Sequence, residues 1–391
     1  MAHTLTPEDA IAGRRENVGS DSLRREPLTP RRLLHAKKAY TTRFLAERLE
    51  DSADGFFLPD GTGVAPDAGD IVLARVVCLG QHPRLESPAS RRQSLFVGDE
   101  ILVAYGHRYA PDQFLAKVPA NLDPCQLVAA GGVAGQVIAH HASMGEATQL
   151  APVGLLADDA GVLNLSRLAP HRLDTTTCEE AREIASRRRP PVIAVLGTSM
   201  NSGKSTALSC LVKGLSAAGM VVSAGKATGT GAGNDSGMYT DAGAAKVLDF
   251  TDFGVPTTFL LDYPRVRALF TGLVSALTDS ATDVVLIEIA DGVYQGETRR
   301  LLSDPIFQSI VDRVVFASSD ALGATAGLQL LRAANIEVAA ISGVLTSSPL
   351  AVQEASEAID IPVLDTVTLC EPSVAVSILR DSRTQSTTVP T

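Results

Sequence analysis

Apolar and polar positions follow two different patterns along the chain, and the pattern changes near residue 190. In the first half, short apolar runs rich in β-branched residues are bounded by glycines, at Ile71–Leu79 and Glu100–Tyr105. Phe114–Val118 forms a third run, which Pro119 closes. Several short strands joined by glycine turns predict a small β-barrel or sandwich in this half.

The remaining segments of the first half predict helices and loops. Helical spacing of apolar residues predicts a helix over Arg31–Leu49, and Asp51–Asp70 is rich in Gly, Asp and Pro and predicts a loop. Cys125–Met144 has the pattern of a helix broken by its glycines, and Pro152–Leu168 fits no single element. Thr175–Arg188 predicts a helix with acidic residues in its first turn, stopped by two prolines.

The second half alternates strands with helices, which is typical of parallel strands covered by helices. The predicted fold class is therefore α/β, with a doubly wound, mostly parallel sheet of P-loop type and a smaller β-rich N-terminal domain. We expect a poorly ordered leader at 1–30, an N-terminal α+β domain at 31–180 and a P-loop domain at 190–380. The predicted strands are Val192–Leu196, Val221–Ala224, Asp283–Ile289, Arg313–Ala317 and Glu337–Val344, and the predicted helices are Ser205–Ala218, Val266–Thr278, Gly323–Ala334 and Pro349–Ala358.

Composition narrows the class of function. The chain has 391 residues, 45% of them hydrophobic, and a formal net charge of −10, so we expect two globular domains and no nucleic-acid partner. The five cysteines are scattered and never spaced as CxxC, which indicates a reducing compartment. No apolar run reaches membrane-spanning length and no export leader is visible. These features predict a cytoplasmic protein without a membrane partner.

The segment VIAVLGTSMNSGKSTALSCL carries the chemistry. It has the order strand, loop, helix, in which small loop residues let backbone N–H groups turn around an anion at a helix N-terminus. Lys204 would neutralise the β- and γ-phosphates, and the Ser205 hydroxyl would bind Mg²⁺. The alternative is an incidental Gly-Lys-Ser turn, which the flanking strand and helix disfavour. The predicted nucleotide-binding residues are Gly197, Thr198, Asn201, Ser202, Gly203, Lys204, Ser205 and Thr206.

The loop departs from the common GxxxxGK[ST] spacing, because five residues separate Gly197 from Gly203. In this spacing and in its Gly-Thr start, GTSMNSGKST resembles the phosphate loop of dethiobiotin synthetase and its relatives. The strand VVLIEIADG and the later strand–helix–strand RVVFASSDALGATAGLQLLRAANIEVAAISGVL, followed by IPVL, also resemble that family. A closer likeness, through KATGTGAGND, DAGA and VLDFTDFGVPTT, is to uncharacterised dethiobiotin-synthetase-like proteins of the DUF1611 type. The resemblance covers about Pro190 to Thr366, roughly half the chain.

The resemblance implies roles for residues beyond the loop. Lys226 matches the family's substrate-facing lysine, and Glu288 matches the glutamate that ends its apolar strand, which would support Mg²⁺ together with Ser205. Lys204, Lys226 and Glu288 are the predicted catalytic residues. The glycine-rich stretch that follows this glutamate in the family is replaced by Ile289–Gly292, so the phosphate site is carried over and the substrate is not. The predicted substrate-binding residues are Lys226, Thr228, Asp235 and Asp291.

Each of these side chains also has an ordinary structural explanation. Lys226 would then be a solvated strand-end lysine, and Asp235 and Asp241 would serve the solubility of a glycine-rich loop. In the first half, His107 to Asp112 form a dense polar turn, GHRYAPDQF, that either contacts substrate or braces the domain interface. His140-His141 lacks a spaced third ligand, which disfavours a metal site there.

Three hypotheses of function follow. The first is an ATP- and Mg-dependent ligase that phosphorylates a small carboxylate or amine metabolite and then forms an amide or ring, as the resemblance implies. The second is a small-molecule kinase that releases the phosphorylated product. The third is a non-metabolic NTPase switch or metallochaperone, which the absence of a lysine between Thr198 and Ser202 disfavours. No NKxD-type aspartate is found, which favours ATP over GTP, and a homodimer is expected by resemblance alone.

Overall fold

The computed structural model describes residues 25–59, 65–173 and 189–379. Most of the predicted leader, the predicted helix Thr175–Arg188 and the polar tail from Asp381 therefore lie outside the described residues. The described chain forms a β-rich first half and an α/β second half. The predicted domain boundaries stay a prediction.

The first half contains mainly short strands. Its helices are α1 Pro30–His35 and α2 Arg43–Asp51. Its strands are β1 Arg25–Pro27, β2 Lys37–Lys38, β3 Phe57–Pro59, β4 Ile71–Cys78, β5 Arg84–Glu86, β6 Arg92–Ser94, β7 Glu100–Tyr105, β8 Arg108–Tyr109, β9 Phe114–Lys117, β10 Cys125–Ala129, β11 Val133–His140, β12 Thr148–Leu155, β13 Ala157–Asp158 and β14 Gly161–Val162.

Five of these strands close into a barrel. The strand order runs β7-β4-β12-β10-β11, and β11 returns to pair with β7 through Val133 opposite Ala104. Strands β9 and β8 continue from β11 and extend the sheet beyond the barrel. The closed ring removes most exposed strand edges, which is one way a β-rich domain avoids aggregation.

The helix predicted over Cys125–Met144 is wrong, because this segment is the β10–β11 hairpin. The turn between the strands places Gly132 at a φ of +100°, a conformation that glycine adopts without strain. β10 ends and β11 begins with three consecutive buried residues, so a period of two was not visible as alternating polarity. The unassigned Pro152–Leu168 contains the end of β12, strands β13 and β14, and a short 3₁₀ turn at Leu165–Arg167.

The single helix predicted over Arg31–Leu49 is also wrong, because the structure breaks it into α1, β2 and α2. Lys37 pairs with Ile101 of β7, and the Thr42 hydroxyl donates to the Leu102 carbonyl at 3.0 Å. These contacts with the barrel replace the helical hydrogen bonds over residues 36 to 42. Tertiary pairing here overrides the helical spacing of the sequence.

The second half alternates strand and helix as predicted. Its strands are β15 Val192–Gly197, β16 Val222–Thr228, β17 Lys246–Asp249, β18 Val284–Ile289, β19 Arg313–Ala317 and β20 Val338–Ser342. Its helices are α3 Lys204–Ala217, α4 Asn234–Ala242, α5 Tyr263–Leu277, α6 Gly296–Leu302, α7 Pro305–Ile310, α8 Ala321–Ala333, α9 Pro349–Ala358 and α10 Pro372–Leu379.

These six strands form one sheet in the order β17-β16-β18-β15-β19-β20, and each pair of neighbouring strands is parallel. Alternate residues of β15 pack into different cores: Val192, Ala194 and Leu196 with α5 to α8, and Ile193 and Val195 with α3 and α10. Helices therefore cover both faces of a parallel sheet. The predicted α/β fold class, with a separate β-rich region, is confirmed.

The first half packs against the second half near the carboxyl ends of β16 and β17. The Tyr40 hydroxyl donates to Asp249 at 2.7 Å, and Arg43 forms an ion pair with Asp252 at 2.7 Å. At Gly131, an added Cβ would lie 2.0 Å from the carbonyl oxygen of Gly231. Backbone thus approaches backbone across this interface. In open α/β sheets, ligands bind outside the carboxyl ends of the strands, which is where the barrel lies.

Candidate functional site

The loop between β15 and α3 has the geometry of a phosphate-binding loop. It leaves the central strand β15 at Gly197, and α3 begins at Lys204. Asn201 and Gly203 take left-handed conformations, with φ of +61° and +96°. Such turns bring consecutive backbone N–H groups into a concave nest that attracts anions, and the N-terminus of α3 adds its dipole.

Gly203 is required by close packing as well as by its φ. A Cβ at this position would lie 3.0 Å from the Cα of Gly343, in the turn after β20. That turn is fastened to the loop, since the Val344 N–H donates to the Ser202 carbonyl at 3.0 Å. The turn after β20 therefore holds the loop in its conformation.

Lys204 reaches back over the loop, and its ammonium donates to the Ser199 carbonyl at 2.7 Å. Burial lowers the pKa of Lys204, although the Glu288 carboxylate opposes this shift. The buried hydroxyls of Thr198 and Ser202 have no hydrogen-bond partner. The loop thus contains polar atoms that the protein itself does not satisfy.

The ends of β16 and β18 place a charged cluster beside the loop. Lys226 lies opposite Glu288 in the register of these strands, with its ammonium 3.5 Å from that carboxylate and in direct contact with Asp235. Burial disfavours the ammonium charge, but Glu288 and Asp235 raise the pKa of Lys226 above its usual value. The second carboxylate oxygen of Glu288 accepts a short hydrogen bond from Tyr239. Lys226 is therefore ion-paired and is not the solvated strand-end lysine of the alternative explanation.

Asp235 lies on helix α4, where the sequence predicted a loop. Burial raises the pKa of this carboxyl, but Lys226 and the Ser205 hydroxyl together lower it by more, so the pKa lies below its usual value. Asp235 therefore stays ionised beside the hydroxyl that the sequence assigns to Mg²⁺. A hydroxyl next to carboxylates is a hard oxygen donor set, which fits that ion.

Asp291 follows β18 in a left-handed conformation, with φ of +63°. The next residue packs on the phosphate loop, since a Cβ at Gly292 would lie 2.4 Å from the Thr198 carbonyl oxygen. Burial raises the pKa of Asp291 to about 6, against the opposing effect of Lys204 and Lys226. This carboxyl titrates close to neutral pH, as a proton acceptor requires.

The barrel forms the opposite wall of the site. A cavity of about 520 Å³ lies between the two halves, and Glu86 and Arg108 face it from the barrel. A Glu86 carboxylate oxygen accepts the Gly233 N–H at 2.8 Å, and burial raises its pKa. A cavity of this volume is in the range of small-ligand sites.

The structure brings most of the predicted site residues to this cavity. Four predicted residues do not line the cavity, namely Gly197, Thr198 and Ser202 of the loop and Thr228 of β16. The Thr228 hydroxyl instead donates to the Ala290 carbonyl at 3.3 Å. Asp241 is likewise absent from the lining. The predicted residues that line the cavity are Asn201, Gly203, Lys204, Ser205, Thr206, Lys226, Asp235, Glu288 and Asp291.

Sequence reasoning missed Tyr239 and Glu86. Tyr239 lies on α4, in a segment whose glycines suggested a loop, so no signal pointed to it. Glu86 lies on the short strand β5 of the first half, which no apolar pattern marked. Arg108 and Asp112 belong to the dense polar turn GHRYAPDQF, which was the available signal.

Neither the family models nor the curated proteins contain a match to this chain. Solved structures do resemble part of it. The signal recognition particle receptor FtsY from Elizabethkingia anophelis is 18% identical, with 52% of this chain and 71% of that chain covered and a TM-score of 0.32. A nucleotide-binding protein in complex with ADP from Archaeoglobus fulgidus is 15% identical, with coverage of 56% and 99% and a TM-score of 0.35. HypB from Helicobacter pylori, in complex with nickel, is 15% identical, with coverage of 50% and 88% and a TM-score of 0.25.

The second half of the chain is itself a parallel α/β sheet, with the phosphate loop directly after the central strand β15. The resemblance to dethiobiotin synthetase and to DUF1611-type proteins stays a prediction. Within residues 25–59, 65–173 and 189–379, no three His, Cys, Asp or Glu side chains are grouped to hold a metal, and no helix has the length and apolarity to cross a membrane.

Proposed function

We propose that this protein is a nucleotide-dependent enzyme in which the P-loop binds Mg-ATP and the terminal phosphoryl group activates a small polar acceptor. The observation that carries the proposal is the cavity of about 520 Å³, because the phosphate loop forms one wall and charged barrel residues form the other. A cavity next to a phosphate loop suits a second, small reactant. The preferred acceptor is a carboxylate or amine metabolite.

Ser205, with Asp235 and Glu288 beside it, supplies the oxygen donors that would hold Mg²⁺. The ion would neutralise phosphate charge when bound. Lys226 balances Asp235 and Glu288, and Tyr239 donates to Glu288, so the protein fixes both carboxylates in place. Lys226 therefore acts here by positioning these carboxylates, and Lys204 is the cation that lies on the loop itself.

In the proposed transfer, an acceptor oxygen attacks the terminal phosphorus as the bond to the bridging oxygen breaks, and the nucleoside diphosphate leaves with that electron pair. In the ligase version, an amine nitrogen then attacks the activated carbonyl carbon and inorganic phosphate leaves. Asp291 is placed to accept the proton that the nucleophile releases, since it lines the cavity and its pKa is raised to about 6.

An NTPase switch or metallochaperone would use the same loop without a small acceptor. The two functions differ in what the cavity contains during turnover. Product analysis separates them.

The experiment uses the full chain with Mg-ATP or Mg-GTP, alone and with pooled small carboxylates and amines, followed by nucleotide assay and mass spectrometry. We expect acceptor-dependent release of ADP and a new phosphorylated or amide product. Lys204→Ala should reduce this turnover at least about 100-fold, because the loop loses its phosphate cation. Lys213→Ala, an exposed lysine on the same helix, is the matched control and should retain activity.

A Lys204→Ala variant with full turnover would disprove the proposed role of the loop. Nucleotide hydrolysis that no acceptor stimulates, and that leaves no new product, would favour the NTPase switch over the enzyme. A stable phosphoester or acyl phosphate would identify a kinase, whereas an amide with free phosphate would identify a ligase.

A further inference from the structure

Arg108 brings a guanidinium from the barrel to the phosphate-loop cavity. It lies on β8, only 6% of its surface is exposed, and it lines the same cavity as Lys204 and Ser205. One terminal nitrogen donates to Gln113 at 2.7 Å, but the buried Nε has no hydrogen-bond partner among the described residues. A buried guanidinium with an unsatisfied N–H is costly unless a ligand completes its hydrogen bonds.

The β8–β9 hairpin, which contains Arg108, contacts the second half of the molecule at two places. Asp112, in the β8–β9 turn, accepts a short hydrogen bond from Asn201 of the phosphate loop. Next to Arg108, Tyr109 packs on Phe259 with ring centroids 5.3 Å apart. The guanidinium is thereby held at a fixed place relative to the loop.

Charge around Arg108 is incompletely balanced within the described residues. Burial lowers its pKa to about 10, while Asp291 and Asp112 favour the charged form, so it remains a cation at neutral pH. Neither carboxylate forms a recorded ion pair with it, although Lys226 on the opposite wall pairs with two acids. Arginine forms directed, multiple hydrogen bonds to oxyanions, which is why it serves phosphate recognition.

We propose that Arg108 binds the terminal phosphate oxygens of the nucleotide held by the phosphate loop. The barrel would thus supply, within one chain, the cation that P-loop enzymes use to stabilise the charge of the transferring group. This inference rests on the proposed function and adds a residue to it. A carboxylate of the acceptor presents the same oxyanion chemistry and is the competing source of the ligand.

The test compares two nucleotides that differ in the terminal phosphate. Calorimetry with full-length protein would measure the Kd of Mg-ADP and of the Mg complex of adenylyl imidodiphosphate, a non-hydrolysable ATP analogue. In Arg108→Gln we expect at least a tenfold loss of affinity for the analogue and less than a twofold change for Mg-ADP. Arg108→Lys should recover part of the difference because it keeps the charge. Arg84→Gln, at an exposed arginine on strand β5 of the first half, is the control and should change neither Kd.

If Arg108→Gln does not fold, Gln113→Leu tests the same idea by removing the side chain that holds the guanidinium, and a selective loss for the analogue is again expected. An unchanged ratio of the two affinities, or an equal loss for both nucleotides, overturns the inference. A variant that binds both nucleotides normally but loses acceptor-dependent turnover shows that Arg108 binds the acceptor instead, and this also overturns it. Wild-type protein that binds neither nucleotide defeats the proposed function itself, which is a separate result.

Discussion

The charged side chains on the two walls of the cavity, the sheet wall and the barrel wall, have different partners. On the sheet wall, Lys226 pairs with Asp235 and Glu288, and Tyr239 completes the hydrogen bonds of Glu288. On the barrel wall, Arg108 is bound to the neutral Gln113, and Glu86 accepts a backbone N–H. Lys226, Asp235 and Glu288 thus balance one another, whereas Arg108 and Glu86 form no ion pair with any residue that the structure describes.

This difference separates stability from recognition. A balanced buried cluster contributes rigidity and is damaged when one member is removed, because the others are left uncompensated. The charged side chains on the barrel wall are instead available to bind a ligand in the cavity. We therefore expect substitutions on the sheet wall to affect folding and binding together, and those on the barrel wall to affect binding selectively.

The largest expected effect is that of Lys226→Met on the sheet wall. The Lys226 side chain is 14% exposed and its loss leaves two carboxylates without their cation, so we expect destabilisation by about 3 kcal/mol. Thermal unfolding would show a clearly lowered Tm, and nucleotide affinity would fall with it. Lys213→Met, on the exposed face of α3, is the matched control. A Tm equal to that of the wild type would mean that the cluster is not a stabilising unit.

Asp291→Asn probes the carboxyl that lies between the two walls. Its pKa is raised from 3.8 to about 6 in the folded protein, so this group costs no stability below pH 4 and its full cost is reached above pH 6. Relative to the wild type, Asp291→Asn should therefore gain about 2 to 3 kcal/mol of stability between pH 4 and pH 7. Asparagine also tolerates the left-handed φ of +63° at this position.

Chemical denaturation of both proteins at several pH values measures this difference. The wild-type activity should rise with pH around 6 and the variant should have low activity throughout, if Asp291 accepts the proton. Parallel stability curves for the two proteins would show that Asp291 titrates at its ordinary pKa in the folded state.

A smaller effect is expected for Gly131→Ala, at the interface of barrel and sheet. The new Cβ would lie 2.0 Å from the Gly231 carbonyl, so the two backbones must separate. Such overpacking costs about 1 to 3 kcal/mol, and the cavity wall should shift with it. We expect weaker nucleotide binding together with a modestly lower Tm. Gly145→Ala is the control, since its nearest neighbour would be the Gln81 side chain at 3.9 Å. Equal behaviour of the two variants would argue against a tight interface.

The sequence alone predicted the sheet wall better than the barrel wall, for a physical reason. The phosphate loop is a local unit of strand, turn and helix, so Gly203, Lys204 and Ser205 could be placed from adjacent residues. Lys226 and Glu288 followed from the resemblance to the dethiobiotin synthetase family, which lies in the sequence around each residue. Arg108 and Glu86 lie on short strands whose place in the fold depends on pairings between more distant segments, such as β9 with β11, which no local pattern encodes. The β10–β11 hairpin was wrongly predicted as a helix because its runs of buried residues show no alternating polarity.

The smallest expected effect sharpens the comparison within the sheet wall. Gly237 lies inside helix α4, which carries Asp235 and Tyr239, and an added Cβ would meet no atom within 4 Å. Glycine disfavours a helix interior by roughly 0.5 to 1 kcal/mol relative to alanine, so Gly237→Ala should stabilise the protein by about that amount. Gly237 and the glycines at both ends of this helix concealed it in the sequence. Tertiary contacts such as the Tyr239–Glu288 hydrogen bond help to hold the helix in place. A Tm raised by a degree or more, with unchanged nucleotide affinity, would show that α4 is already ordered for binding. A gain in affinity for Mg-nucleotide would instead show that the helix forms only in part before the ligand binds, and the sheet wall would then not be the rigid one.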